Sequence, residues 1–293
     1  MTKDVKNYTD SCETCQLNKI KRCQKLGTLS SFTQPKNPFD LIAIDTVGGL
    51  EGYNSNQKYM HLAIDYITRF IWVTTSRHQK AKDFINLIEQ IMKIARPKHI
   101  LSDNYSSLHS KSFQSFLKAS DIQLTFIAPY TPKSNGMVER VNQTLIDRLR
   151  CKFHENPTKA WTTLVNICVE EYNNSYHEST GFSPRFLLIG ISNFENSLES
   201  CPTLDQARKI AYENSLHSHS RNKAIYDSKH RHHEFKEGDL VLIDSHALGK
   251  LEPRRLGPFK IIEKLSQNSY RLNIPSHVRK NNLVNSEQMH AYY

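Results

Sequence analysis

Asp45, Asp103 and Glu139 are the residues whose types and settings suit phosphodiester chemistry in this chain of 293 residues. Asp45 interrupts the apolar run LIAIDTV (41–47), where an unpaired charge would be costly. Asp103 directly follows KHILS (98–102), and Glu139 opens a helix after TPKSNG. Three carboxylates brought from separate elements to one edge of a sheet could hold two divalent ions roughly 3.5–4 Å apart. Such a pair activates an attacking oxygen and stabilises a leaving one. Hard cations such as Mg²⁺ require oxygen ligands of this kind. Any single exposed carboxylate is ordinarily a solvated surface group, so the structural context of the three carries the reading, not their spacing. Asp65, in HLAIDYI, competes as a sheet carboxylate and ranks second because no equally suggestive partner accompanies it.

The elements that must position these acids are legible from periodicity. LIAIDTV reads as a buried strand, and 59–67 with 69–75 as a hairpin of two more. Residues 80–96 carry Phe84, Leu87, Ile88, Ile91 and Ile94 at helical spacing, and Pro97 stops that helix. KHILS and IQLTFI (122–127) are the fourth and fifth strands, with a helix at 110–119 between them. Helices resume at 135–154 and 159–176. On the first of these, Val138, Val141, Leu145 and Leu149 form the packing stripe, which leaves Glu139, Asn142, Gln143 and Ile146 on a shared face. Three strands followed by alternating helices and short strands indicate an α/β domain with helices over a sheet.

The boundaries follow from changes of character. Residues 1–36 are polar and basic, and Pro35 and Pro38 punctuate their end. The core then spans 37–200, a helical connector with a histidine-rich end (His230, His232, His233) spans 201–233, and short alternating runs over 234–293 suggest a small β-barrel or sandwich. A net charge of +10 suits a polyanionic partner, nucleic acid first. No apolar stretch of about 18 residues exists, so no membrane-spanning helix is expected. The sparse cysteines suit thiols or a metal site better than a disulfide framework, and Cys151 and Cys168 read as packing residues.

Three segments resemble the catalytic blocks of retroviral and LTR-retrotransposon integrases, the gypsy class above all: PFDLIAIDTVGGL (38–50), LSDNYSSLHSKSF (101–113) and APYTPKSNGMVERVNQTL (128–145). STGFSPRFLLIG (179–190) is similar to the segment that closes the core in gypsy-type enzymes. The resemblance implies an RNase H-like core with a mixed five-stranded sheet, in which Asp45, Asp103 and Glu139 ligate two Mg²⁺ or Mn²⁺ ions. It implies 3′-end processing by water and then strand transfer by the freed 3′ hydroxyl, on element ends and target DNA. A homo-multimer, synthesis in the cytoplasm and action in the nucleus are also implied. Asn142, Gln143, Lys133 and Arg140 become expected DNA contacts. Two positions depart from the family pattern Asp-x-Gly-x-x-Phe, at Tyr105 and Leu108, and Thr131 replaces a usual His. A lost glycine redirects the loop beside the acids, which bears on catalytic rate more than on fold.

The two ends continue the resemblance. CETCQLNK (12–19) is similar to the second half of a His-His-Cys-Cys zinc module. Cys12 and Cys15 are half a site, so zinc is expected only if the two histidines come from upstream in a longer polyprotein. The alternative is a remnant with two free thiols. RRLGPFKIIEKLSQNSYRLNIP (254–275) resembles the Gly-Pro-Phe module that ends gypsy-type integrases, carried here by Gly257, Pro258 and Phe259 on an SH3-like barrel. Arg254, Arg255, Lys250 and Lys260 beside it are expected phosphate contacts. Two rivals stay open: a host-adopted derivative that binds DNA or protein without catalysis, and an RNase H-like nuclease that cuts without joining.

Overall fold

The computed structural model describes residues 3–18, 35–50, 52–126, 136–191, 202–228, 234–245, 252–265, 268–279 and 282–292. It divides into two compact units, one of residues 33–218 and one that combines 1–32 with 219–293. The division falls inside the connector helix, and the N-terminal residues group with the C-terminal sheet.

The first unit is built on five strands: β1 (Leu41–Val47), β2 (Tyr59–Asp65), β3 (Ile71–Ser76), β4 (His99–Ser102) and β5 (Gln123–Phe126). Their order is β3-β2-β1-β4-β5. β1, β2 and β3 pair antiparallel, whereas β4 and β5 run parallel to β1. β3 was expected to begin at Arg69, but that residue sits at φ 62 in the turn, so the strand starts at Ile71.

Period-two alternation decides which layer each residue of β1 enters. Leu41 and Ala43 join the layer made with helices α5 (Gly136–Glu155) and α6 (Trp161–Asn174). Ile42 and Ile44 face the layer made with helices α3 (Ala81–Met92) and α4 (Lys111–Ala119). All four strand residues are buried, and each large aliphatic side chain contributes about 1.5–3 kcal/mol by leaving water. On α3 the expected stripe holds for Phe84, Leu87, Ile88 and Ile91. Ile94 is exposed, because the helix ends at Met92 before the backbone approaches Pro97.

Asp65 anchors the β2–β3 turn. It accepts from Phe39 N (2.7 Å), Ile67 N (3.0 Å), Thr68 N (2.7 Å) and Thr68 Oγ1 (2.8 Å). α7 (Pro184–Ile189) starts under a Ser183 cap and stops at Gly190, whose φ of 74 favours glycine. α8 (Leu204–Ser228) buries Ala207 and Ala211 against Phe182, Phe186 and Leu187. The histidines expected at its far end lie outside the described residues. His177, half-buried, has its pKa pushed down to about 4, first by burial and then by the charges of Arg69 and Arg140.

The second unit holds two short helices, α1 (Lys3–Ser11) and α2 (Glu13–Asn18), where the sequence suggested only a polar remnant. Its sheet comprises β6 (Leu240–Asp244), β7 (Arg255–Lys264), β8 (Ser269–Leu272), β9 (Leu283–Asn285) and β10 (Met289–Ala291), in the order β10-β6-β7-β8-β9. All pairs are antiparallel, and register shifts on both sides of β7 bend it around Phe235, Val241, Ile261 and Tyr270. Gly257 is required there, because a Cβ would stand 2.9 Å from the Val241 carbonyl oxygen at a φ of 131. Among the described residues no helix is long and apolar enough to cross a membrane.

Candidate active site

Strand register brings the two aspartates side by side. Ile44 pairs with Ser102 across the parallel β1–β4 ladder, so the next positions are Asp45 and Asp103. Neighbouring strands lie about 4.8 Å apart. Alternation sends Asp45, like Ala43, toward the α5 layer. Glu139 stands in the first turn of α5, and Asn142, three residues on, shares its face. The contact is direct, since Asn142 Nδ2 donates to Asp45 Oδ2 at 2.6 Å.

Asp103 and Glu139 lie in the field of Asp45. Burial raises the Asp103 carboxyl above its ordinary range, and the charge of Asp45 raises it further. Glu139 is raised in the same way, by burial first and then by Asp103 and Asp45. Among the described residues none of the three forms an ion pair, so this negative charge has no fixed counter-cation. Nor is any group of three or more His, Cys, Asp or Glu side chains among the described residues already gathered into a metal-holding arrangement. The donor set nonetheless fits a small hard cation: every candidate ligand is an oxygen, and the buried Oδ1 of Asn142 has no donor.

Asp45 is the most constrained of the three. Its Oδ1 accepts from Thr46 N at 2.7 Å and from the Tyr105 hydroxyl at 2.8 Å. The phenol is half-buried and its pKa is raised by burial, by the Asp45 charge and by this hydrogen bond. Tyr105 stands where the resemblance expects glycine, and sequence reading registered only the loss of flexibility, not the gain of a donor. Leu108, at the expected Phe position, is fully buried beside Phe84 and Phe113, so the apolar role of that position is kept. Thr131 lies outside the described residues.

Asp65 does not join this group. Asp45 pairs with Leu62, so Asp65 is three residues further along β2, about 10 Å away. It also points to the other layer, and its oxygens are taken by the turn. Asn142, expected to meet DNA, is instead buried beneath the acids. Gln143 is exposed and its amide contacts both oxygens of Asp147 at 3.0 Å, while Arg140 is exposed and its charge acts on Arg69 and His177. Lys133 lies outside the described residues, as does Lys250.

In the second unit Arg254 and Lys260 are exposed, in keeping with a surface role. Arg255 is not available to a phosphate: it is 7% exposed and donates to the Gln16 carbonyl at 2.8 Å. Strand alternation turns one of two adjacent arginines inward. Cys12 and Cys15 are partly buried and form no disulfide. They lie around the start of α2, with no third ligand gathered among the described residues.

Residues 35–132 match the integrase core domain family, and residues 238–293 match the Tf2-1-like SH3 domain family. The Tf2-3 and Tf2-4 transposon polyproteins of Schizosaccharomyces pombe are each 26% identical over 304 residues, which take in 94% of this chain and 22% of the polyprotein. The chain thus spans about a fifth of the length of the curated relatives it matches. In fold it is similar to a chain of the simian T-cell lymphotropic virus intasome in complex with PP2A regulatory subunit B56 gamma. That match has a TM-score of 0.67 at 17% identity and covers 99% of this chain and 91% of the other.

Proposed function

We infer that this chain, which carries an integrase core domain and is related over most of its length to transposon polyproteins, catalyses metal-dependent processing and joining of DNA strands. One observation carries the reading: Asp45 in β1, Asp103 just past the end of the adjacent parallel β4 and Glu139 in the first turn of α5 lie close enough for the first aspartate's charge to raise the other two carboxyls, with no ion pair to any of the three among the described residues. Asp45, Asp103 and Glu139 would hold Mg²⁺ or Mn²⁺, which when bound supplies activation of an attacking oxygen and stabilisation of a leaving one.

The chain's own residues position that chemistry. Asn142 and Tyr105 fix the Asp45 carboxylate, and the sheet edge holds Asp103 beside it. In the first reaction a water oxygen bonds to phosphorus near the element's end. The phosphorus bond to the 3′ oxygen breaks, and that oxygen takes up a proton. In the second, the freed 3′ hydroxyl loses its proton, bonds to a target phosphorus and displaces the target's own 3′ oxygen. Arg140, Gln143, Arg254 and Lys260 are exposed residues suited to phosphates and bases, and Lys133, outside the described residues, would act with them. Phosphate contacts supply position and affinity but little sequence code, so target choice depends weakly on bases. Bridging two element ends and a target calls for a homo-multimer acting in the nucleus, and Cys12 with Cys15 would hold zinc only with histidines from a longer polyprotein.

A second reading, a derivative that binds DNA or protein without catalysis, draws on Tyr105 against Asp45 and on the ungathered acids. Labelled terminal DNA with Mg²⁺ or Mn²⁺ separates the two. Joined products that vanish in Glu139→Gln support strand transfer, cleavage without joining supports a nuclease, and salt-sensitive binding without products supports the second reading.

A further inference from the structure

Asp45 has almost no free acceptor capacity. A carboxylate offers about four acceptor positions. Thr46 N and the Tyr105 hydroxyl occupy Oδ1, and Asn142 Nδ2 occupies one side of Oδ2. One position remains, on Oδ2. A cation can therefore meet Asp45 through a single oxygen without breaking any of these bonds, whereas gripping both oxygens requires the phenol or Thr46 N to withdraw.

The phenol is not free to withdraw cheaply. Its ring lies 5.9 Å from that of Phe84, centroid to centroid, at the border of the α3–α4 layer. Its backbone N donates to the Asp103 carbonyl at 2.9 Å, which fixes the turn between the second aspartate and the phenol. Glycine, expected at this position, would supply neither the hydroxyl nor the ring.

Single-oxygen and two-oxygen ligation suit different ions. Mg²⁺ demands near-ideal octahedral geometry, whereas Ca²⁺ takes more oxygens and readily accepts both from one carboxylate. We propose that Tyr105 is a positioning residue that, together with Asn142, confines Asp45 to one free acceptor position and so biases the acidic cluster toward small octahedral cations and against calcium. The proposal rests on the reading of Asp45, Asp103 and Glu139 as a cation site.

The test is a Mn²⁺ titration of the full chain, followed by loss of the free-ion paramagnetic resonance signal, with Mg²⁺ and Ca²⁺ as competitors. It compares the natural chain with Tyr105→Phe, which keeps the ring and removes the hydroxyl, and circular dichroism checks that both are folded. The expected result is Mn²⁺ affinity about tenfold weaker in the variant, the scale for losing an outer hydrogen bond to a ligand, and a Mg²⁺ over Ca²⁺ preference reduced several-fold. An unchanged preference, or tighter Mg²⁺ binding in Tyr105→Phe, overturns the proposal. Glu139→Gln separates the two levels. If the natural chain binds Mn²⁺ and Glu139→Gln does not, the cation site stands and only the role of Tyr105 is at stake. If the natural chain binds no Mn²⁺, both fall together.

Discussion

Asn142 Nδ2 lies 2.6 Å from Asp45 Oδ2, a bond that ties the helix carrying Glu139 to the strand carrying the first aspartate. Asn142→Ala should lower strand transfer about tenfold to a hundredfold, the usual cost of removing a hydrogen bond to a ligating group. Far-UV circular dichroism should be unchanged. Full activity in that variant would detach Asn142 from the site.

The acidic group should cost stability when no cation is present. The Asp103 carboxyl is raised above its ordinary 3.8, so the folded state holds that proton more tightly than the unfolded chain. The associated stability is complete below 3.8 and is lost as pH rises through the folded value. Asp103→Asn should therefore melt about 1–2 °C above the natural chain at pH 7 in a chelator, with the difference gone at about pH 3. Added Mg²⁺ should close the gap from the other side. Equal melting at both pH values would contradict this account.

Asp65 makes the opposite prediction for a buried acid. It accepts four hydrogen bonds in the β2–β3 turn, so Asp65→Ala should cost about 3 kcal/mol in urea unfolding. A change of a few tenths would mean that the turn does not depend on it.

His177 gives a second pH window. Its folded pKa of about 4 lies below the ordinary 6.5, so the folded state disfavours the charged ring. The stability linked to it is present above 6.5 and declines as pH falls toward 4. His177→Gln should flatten the stability profile across that window and leave it unaltered at pH 8.

Two adjacent arginines should behave differently on DNA. Arg254→Gln and Lys260→Gln should each lower the salt-dependence slope of binding by about one. Arg255→Met should leave the slope alone and destabilise the second unit by about 1–3 kcal/mol, because it removes the bond to the Gln16 carbonyl. A loss of slope in Arg255→Met would place that side chain at the surface.

The frame of the site was readable because hydrophobic periodicity reports layers. β1 runs from Leu41 to Val47, as the apolar run indicated, and the β4 and α4 segments fall where their patterns put them. Details that depend on a second element were not readable. A helical wheel groups Asn142 with Glu139 and Gln143, but only the position of β1 shows that Asn142 is covered. Nothing in the string Arg254-Arg255 says which one faces inward until the bent β7 is in place. β9 and β10 are three residues each, too short for any period to register. Tyr105 was visible as a departure, yet its partner is 60 residues away in the chain.

The alternation along β1 has a consequence for how this protein can change over time. Replacing Asp45, Asp103 or Glu139 removes a charge at the rim and leaves both hydrophobic layers whole. Inserting or deleting one residue within 41–47 would reverse every later side chain, exchanging Ile44 with Asp45 and driving a carboxylate into the α3–α4 layer. Lineages of this chain can therefore lose their chemistry by one substitution and keep a serviceable scaffold, while small frame-preserving indels in that strand should be purged.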